Sequence, residues 1–193
     1  CPIEQTLTSA KRQLDLEYAK ICNILNIEWL VCVKEKGNWF TETGLKRQED
    51  FYAHESDSSV KQVVIVSDAL RYEVAMELMQ KLAKEKHIAT IGAYQAMLPT
   101  ETKYCKLALL PHHSLELNGT DMMVDGSVLT TTEQRTAHLC KYREGAICIR
   151  YEDVMNGDSQ AMRELFKRPL VYIFHDTIDN AGHSQSPFDV INA

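Results

Sequence analysis

Acidic residues follow two short apolar runs that are typical of buried parallel strands. Asp68 comes just after Val63–Val66, and His175 and Asp176 come directly after Leu170–Phe174. The carboxyl ends of parallel strands meet at one edge of a sheet, where open α/β folds bind their ligands. The sequence therefore predicts an acidic site at this edge.

A carboxylate and an imidazole lie close together just after the second run. Asp179 and His183 form the pattern Asp-x-x-Gly-His, with Gly182 between them. Aspartate and histidine are common ligands of divalent metals. We expect a loop here, in which Gly182 lets the chain turn so that both side chains face one ion.

Two hydroxyl residues precede a further helical pattern. Thr100 and Thr102 lie where a strand gives way to a short helix predicted over 101–110. A hydroxyl at a helix N-terminus lies beside free N–H groups in a positive field, which suits a nucleophile or the phosphate it attacks. The alternative is that these residues only cap the helix, just as Asp68 would cap a helix that begins at Ala69.

Strands and helices alternate along the rest of the chain. We predict strands at 63–66, 88–97, 146–149 and 169–174, and helices at 70–82, 132–142 and 158–167. The dipeptides Asn118-Gly119 and Asp125-Gly126 predict turns around a hairpin. This alternation indicates an α/β three-layer sandwich with a mainly parallel sheet.

The first part of the chain has a different pattern. Apolar residues recur at helical spacing from Leu7 to Leu25, and the polar stretch His54–Ser59 is typical of a linker. We therefore predict a helical segment with a linker over 1–60, followed by an α/β domain over 61–193.

Composition excludes several classes of protein. The 193 residues are 45% hydrophobic with a net charge of −6, which disfavours both disorder and a broad basic nucleic-acid surface. No apolar run approaches the ~20 residues that span a bilayer. The six cysteines form no C-x-x-C pair, so we expect free thiols in a reducing cytoplasm.

Four segments together resemble the PglZ domain of bacterial BREX phage-defence systems, a branch of the alkaline phosphatase superfamily. They are Val66–Glu73, the stretch from Leu98 to His112, Val124–Gly126 and Tyr172–Asp179. The resemblance runs from about Gln48 onward. It implies an alkaline-phosphatase-like fold and the chemistry of a metal-dependent phosphatase or phosphodiesterase.

The resemblance also implies roles for residues that match the superfamily pattern. Thr102 would be the nucleophile, with Thr100 as second choice; Asp68 would bind one metal, and Asp179 with His183 the other. The cofactors would be two divalent ions, zinc first, with manganese or magnesium as options. Residues with a possible substrate or supporting role are Arg71, His175 and Asp176; Arg71 would pair with Glu73 or another acid, or else clamp phosphate.

The second metal half-site of the superfamily uses an Asp-His pair further downstream, and no such pair follows His183. We therefore expect the chain to hold the N-terminal half of the catalytic domain and to lack one half-site. The implied partners are a phosphoester, such as a nucleotide or nucleic acid, and other defence proteins, with no membrane. A catalytically inactive scaffold within a defence complex remains the alternative.

Overall fold

The computed structural model describes residues 2–37 and 43–183, with side chains from residue 6 onward. Contacts divide the chain between Gly44 and Leu45 into two compact units. The first unit contains one long helix, α1 (Pro2–Lys36), which ends where Gly37 takes a positive φ of 65°. The predicted helical segment is thus confirmed, and its apolar side chains, such as Leu14 and Ile21, are exposed.

The second unit alternates strands and helices. Its strands are β1 (Lys46–Arg47), β2 (Gln62–Ser67), β3 (Tyr94–Gln95), β4 (Leu115–Asn118), β5 (Asp121–Val124), β6 (Ser127–Val128), β7 (Ile147–Arg150) and β8 (Leu170–His175). Its helices are α2 (Phe51–Glu55), α3 (Tyr72–Lys84), α4 (Thr102–Ala108), α5 (Thr132–Tyr142), α6 (Tyr151–Asn156), α7 (Ser159–Leu165) and α8 (Thr177–His183). A single 3-10 turn, Gln48–Asp50, precedes α2.

The main sheet is parallel, with the strand order β2-β8-β7. Its middle strand, β8, is apolar from Leu170 to Phe174 and buried on both faces, as the sequence predicts. The prediction that β2 is buried on both faces is wrong, because Val63 and Ile65 are exposed. β2 is an edge strand, and only its alternate residues, such as Val64 and Val66, pack against the core.

The predicted hairpin is confirmed as a second, antiparallel sheet with the order β4-β5-β6. Gly119, Asp125 and Gly126 all take positive φ values at its turns. A third pairing joins β1 to β3 in parallel. The fold is therefore α/β with mixed sheets, of which the largest parallel one positions the acidic residues.

Two predicted elements differ from the structure. The strand predicted over 88–97 is reduced to the two residues of β3, since Ile88 is fully exposed and only 94–95 find a partner in β1. The helix predicted from Leu70 begins at Tyr72, and Val74 and Leu78, whose four-residue spacing indicates this helix, are exposed. The apolar residues of α3 occupy two faces of the helix. The partly buried face consists of Ala75, Met76, Met79 and Leu82.

The division at Gly44 differs from the predicted boundary at residue 60. Gln48 is bound to the second unit, because its side chain donates to the carbonyl of Cys105 at 3.1 Å and accepts from the amide of Met97 at 3.2 Å. The stretch expected to be a linker is also bound there, since Arg143 donates to the carbonyl of Asp57 at 2.8 Å. Residues 45–60 therefore belong to the α/β unit.

The core lies between β8, the hairpin and two helices. Its largest fully buried side chains include Tyr172, Leu110 and Leu139. The Tyr172 hydroxyl donates to the carbonyl of Leu109 at 3.0 Å, which connects the central strand to the end of α4. Over the described parts of the chain, no helix has the length and apolarity needed to cross a membrane.

Candidate functional site at the carboxyl edge of the parallel sheet

The carboxyl ends of β2 and β8 lie side by side. Ser67 pairs with His175 in the strand register, and the next amide, of Asp68, donates to the carbonyl of His175 at 2.9 Å. Asp68 and Asp176 therefore follow neighbouring strands at the same edge, as the sequence predicts. The parallel pairing alone brings together residues that are far apart in the chain.

A lysine lies between these two carboxylates. The ammonium of Lys106, on α4, is 3.1 Å from Oδ2 of Asp68 and also bonds to Oδ1 of Asp176. The side chain of Lys106 is 12% exposed and that of Asp68 is 20% exposed. Two carboxylates thus converge on one cation that is itself largely shielded from water, while the Asp176 side chain is 42% exposed.

The two oxygens of Asp68 have different surroundings. Oδ1 accepts from the amide of Ala69 at 3.0 Å, and Ala69 takes a positive φ of 61°. Oδ2 is buried and accepts no hydrogen bond from the described residues, although the Lys106 ammonium lies within ion-pair distance. The alternative that Asp68 caps a helix is wrong, because α3 begins at Tyr72 and its N-cap position is Arg71.

The candidate nucleophile begins the helix that carries the lysine. Thr102 is the first residue of α4, and its side chain is exposed. Thr102 and Lys106 are four residues apart, so they lie on the same side of the helix. The capping alternative for Thr100 and Thr102 is not supported, because the N-cap position is Glu101 and no side chain caps it.

Asp179 and His183 lie on α8 rather than in the expected loop. They are one helical turn apart, and Nε2 of His183 is 3.5 Å from Oδ2 of Asp179. The role expected for Gly182 is wrong, because it lies inside the helix and has no positive φ. The helical spacing itself brings the two side chains together.

Two other predicted residues have clear positions. His175 ends β8, where Nδ1 is hydrogen-bonded to the Ser67 hydroxyl at 2.8 Å and the ring packs edge-on against Tyr151. Arg71 is exposed, and its expected pairing with Glu73 is absent from the described residues. His175 is therefore held in one orientation, whereas Arg71 points to solvent.

The acidic edge has some, but not all, of the ligands that a divalent metal requires. No group of three or more histidine, cysteine or acidic side chains suitable for a metal occurs in the ranges 2–37 and 43–183. Smaller sets lie at this edge instead: Asp68 and Asp176 both contact Lys106, and Asp179 lies beside His183. The unbonded Oδ2 of Asp68 and the close Asp179–His183 pair each fit part of a metal's ligand shell.

Sequence reasoning missed Lys106, which the structure places at the centre of the site. A signal was available, because Lys106 follows the candidate nucleophile by one helical turn. Arg135 was also missed: its guanidinium stacks on the Phe174 ring, 4.9 Å from the centroid. Burial lowers the pKa of Arg135, and the nearby Cys148 and Asp176 oppose this change.

A second polar cluster lies at the hairpin. The Asp125 carboxylate accepts from the amides of His113 at 2.7 Å and Ser114 at 2.9 Å, and from the hydroxyl of Tyr142. Burial raises the pKa of Asp125, but the bonds from Tyr142, Ser114 and His113 outweigh it and lower the pKa to about 2. Burial and the hydrogen bond to Asp125 raise the pKa of Tyr142 to about 12.

His113 and Tyr142 also line an open cavity of about 640 Å³, together with Tyr52, Met97 and other residues of the second unit. Neither Asp68 nor Thr102 lines this cavity. The acidic edge and the cavity are therefore separate features.

The lowered pKa of Asp125 predicts a pH-dependent contribution to stability. The folded value of about 2 lies below the ordinary 3.8, so the contribution is complete above about pH 4 and disappears as the pH falls through 2. Asp125→Asn in the full-length protein should therefore lower the free energy of unfolding by about 2 kcal/mol at pH 7. The deficit should shrink in thermal unfolding below pH 4.

Asp121→Asn is the matched control, because Asp121 is an exposed aspartate at the start of β5, the strand that ends just before Asp125. It should change stability by less than about 0.5 kcal/mol. A deficit of Asp125→Asn that stays constant down to pH 2 would contradict the assigned cause.

Comparison with known proteins identifies the family of the chain. The family model described as the BREX system PglZ alkaline phosphatase-like domain matches residues 49–189. The chain belongs to this family. The match covers the α/β unit, including both strand ends of the acidic edge.

Two curated relatives are similar over most of the chain. The "Alkaline phosphatase-like protein PglZ" of Bacillus cereus (strain H3081.97) is 33% identical over 180 residues, which is 89% of this chain and 21% of the relative. The "Alkaline phosphatase-like protein BrxZ" of Escherichia coli O9:H4 (strain HS) is 34% identical over 157 residues, which is 76% of this chain and 18% of the relative. The chain thus spans about a fifth of the length of these relatives. No solved structure shows a significant match.

Proposed function

We propose that the full-length protein containing this chain is a metal-dependent hydrolase of phosphoric esters in a BREX phage-defence system. The observation that supports this most strongly is the position of α4. The helix begins at Thr102 and places Lys106 between Asp68 and Asp176. Lys106, one helical turn after Thr102, therefore joins two carboxylates from distant segments at one edge of the sheet.

The metal ligands would come from the two sets at this edge. Asp68 would hold one ion through its unbonded oxygen, and Asp179 with His183 would hold part of the shell of the other. Zinc suits the mixed oxygen and nitrogen donors, and manganese or magnesium would suit the carboxylates. Two bound ions would supply the positive charge that promotes alkoxide formation and stabilises the attacking and leaving oxygens.

The chain's own residues would then carry the transfer. Oγ1 of Thr102 loses its proton to solvent and attacks phosphorus. Its new O–P bond forms as the ester O–P bond breaks, and the leaving alkoxide takes a proton from solvent and departs as an alcohol. Water then attacks the phosphothreonine, and cleavage of the threonine O–P bond releases phosphate or a monoester and restores the hydroxyl. His175, held by Ser67, keeps the end of β8 in place beside Asp68.

Replacement of Thr102 tests this proposal. Thr102→Ala in the full-length, metal-loaded protein should lower hydrolysis of a chromogenic phosphodiester by about a thousandfold or more, because the attacking oxygen is lost. Thr102→Ser should retain measurable hydrolysis, since it keeps the hydroxyl. Full activity of Thr102→Ala together with loss in Thr100→Ala would assign the nucleophile to the other candidate. Full activity in both single variants and in the double variant would refute a threonine nucleophile.

A scaffold role is the second candidate. It is favoured by the lack of a three-ligand group among residues 2–37 and 43–183 and by the lysine that fills the cation position. A scaffold would bind other defence proteins without turnover. Phage restriction by full-length Thr102→Ala separates the two: restriction is lost if hydrolysis is required and retained if the domain only supports assembly.

The substrate class proposed here is a phosphoester such as a nucleotide or a nucleic acid. The proposed partners are other proteins of the same defence system, and the proposed location is the cytoplasm. Hydrolysis assays with nucleotides, single-stranded DNA and RNA would identify the substrate class directly.

A further inference from the structure

We propose that Lys106 is a resident cation that a divalent metal must displace from Asp68. The inference rests on the proposed metal dependence and assigns a new role to a residue outside the predicted ligand set. Lys106 would keep the two strand-end carboxylates together in the metal-free protein and would regulate how tightly the metal binds.

The first argument is the placement of the ammonium. Lys106 approaches Asp68 at 3.1 Å and bonds to Asp176, and its side chain is only 12% exposed. The Asp68 carboxylate and the ammonium both lose much of their hydration, so each needs an opposite charge beside it. In the metal-free chain the lysine supplies that cation.

The second argument is that the lysine and a metal would use the same oxygen. Oδ1 of Asp68 already accepts from the Ala69 amide, which leaves Oδ2 as the unbonded oxygen. A metal would bind Oδ2 at about 2 Å. An ammonium still 3.1 Å from that oxygen would lie close to the metal, and two cations at such a distance repel strongly.

The third argument is that the ammonium has a second partner. Lys106 bonds to Asp176, whose side chain is 42% exposed, so the lysine can leave Asp68 without losing every carboxylate contact. Displacement therefore moves the ammonium toward the more solvated of its two partners. Metal binding and this movement are coupled events.

Lys103 provides a matched control on the same helix. Its ammonium is 3.4 Å from Glu101 at the surface, and its side chain is 52% exposed. Lys103 and Lys106 thus differ in burial and in their acidic partners, while both belong to α4.

Chemical labelling of the unmodified full-length protein tests the displacement. Its lysines are acylated briefly with and without saturating Mn²⁺, and the labelled peptides are quantified by mass spectrometry. Acylation of Lys106 should rise by about fivefold or more with Mn²⁺, which is within the usual range of coupling between two binding events. Acylation of Lys103 should stay constant. Unchanged acylation of Lys106 while Mn²⁺ binds would overturn the inference.

Calorimetric titration with Mn²⁺ gives an independent test. Lys106→Met removes the competing cation and should lower the Mn²⁺ dissociation constant by about tenfold, whereas Lys103→Met should leave it unchanged. Lys106→Met should also unfold at a lower temperature than Lys103→Met when metal is absent, and Mn²⁺ should raise its Tm by more.

The outcomes separate the two proposals. Equal or weaker Mn²⁺ binding by Lys106→Met, in a protein whose hydrolysis depends on metal, would overturn the displacement and leave the proposed function standing. If neither the unmodified protein nor Lys106→Met binds Mn²⁺, the metal dependence of the proposed function fails and the displacement fails with it. If Lys106→Met does not fold, the labelling experiment on the unmodified protein decides.

Discussion

Asp68→Asn should lower phosphodiester hydrolysis by the full-length protein about a thousandfold or more. The substitution removes the charge on the one carboxylate oxygen at the strand edge that is buried and accepts no hydrogen bond. An asparagine oxygen can still accept from the Ala69 amide, so the turn after β2 keeps its local bond. The loss should come from weaker metal binding and weaker stabilisation of the transferred phosphoryl group.

The same experiment needs a control for the chemical change itself. Asp158→Asn makes the identical substitution at the N-cap of α7, where Asp158 accepts from the Ala161 amide at 2.7 Å. Asparagine caps helices about as well as aspartate, so hydrolysis and Tm should stay close to those of the unmodified protein. Hydrolysis by Asp68→Asn at more than a tenth of the control rate would rule out its role as a metal ligand.

Tyr172→Ala should have the largest effect on stability. The ring is almost wholly buried in the middle of β8, and its truncation would leave a cavity beneath the strand end that carries the site. The expected cost is about 4 kcal/mol, by analogy with other large-to-small changes in protein cores. Hydrogen exchange of β8 peptides in the full-length protein should therefore become about a thousandfold faster.

Two further variants divide this effect into its parts. Tyr172→Phe keeps the ring but removes the bond to the Leu109 carbonyl, and should cost about 1 kcal/mol. Tyr72→Ala, at an exposed tyrosine on α3, should cost less than about 0.5 kcal/mol. A Tyr172→Ala protein whose β8 amides exchange like those of Tyr72→Ala would contradict the central position of this strand.

The elements with the strongest local patterns were predictable from the sequence. β8 is a continuous apolar run and lies where such a run predicts, in the middle of a parallel sheet. The hairpin turns follow from the two glycine dipeptides, since Gly119 takes a positive φ at the first turn and Asp125 with Gly126 does so at the second. The meeting of Asp68 and Asp176 follows from the parallel pairing of the strands before them.

Features decided by neighbours in space were less predictable. The apolar run of β2 resembles that of β8, but its place at the sheet edge leaves Ile65 exposed. On α3, the sequence contains two apolar faces, and periodicity alone could not tell which of them packs. Asp179 and His183 were expected in a loop after β8, in which Gly182 would let the chain turn, yet a helix continues through Gly182.

The candidate site was also predictable only where a local sequence pattern marks its residues. The carboxylates were found from their positions after strands, whereas Lys106 was missed because a lysine on a short helix usually points to solvent. Its burial depends on how α4 lies across the ends of β2 and β8, which no local pattern encodes.

The central claim is that Thr102 is the oxygen nucleophile acting beside the Asp68 carboxylate. The most direct measurement is acid quenching of the full-length, metal-loaded protein during turnover of a phosphodiester, followed by peptide mapping of the covalent phosphoryl adduct, which retains the second alcohol group of the substrate. We expect this adduct on Thr102 in the unmodified protein and none in Asp68→Asn. An adduct on a different residue, or steady turnover with no modified peptide at any quench time, would contradict this role.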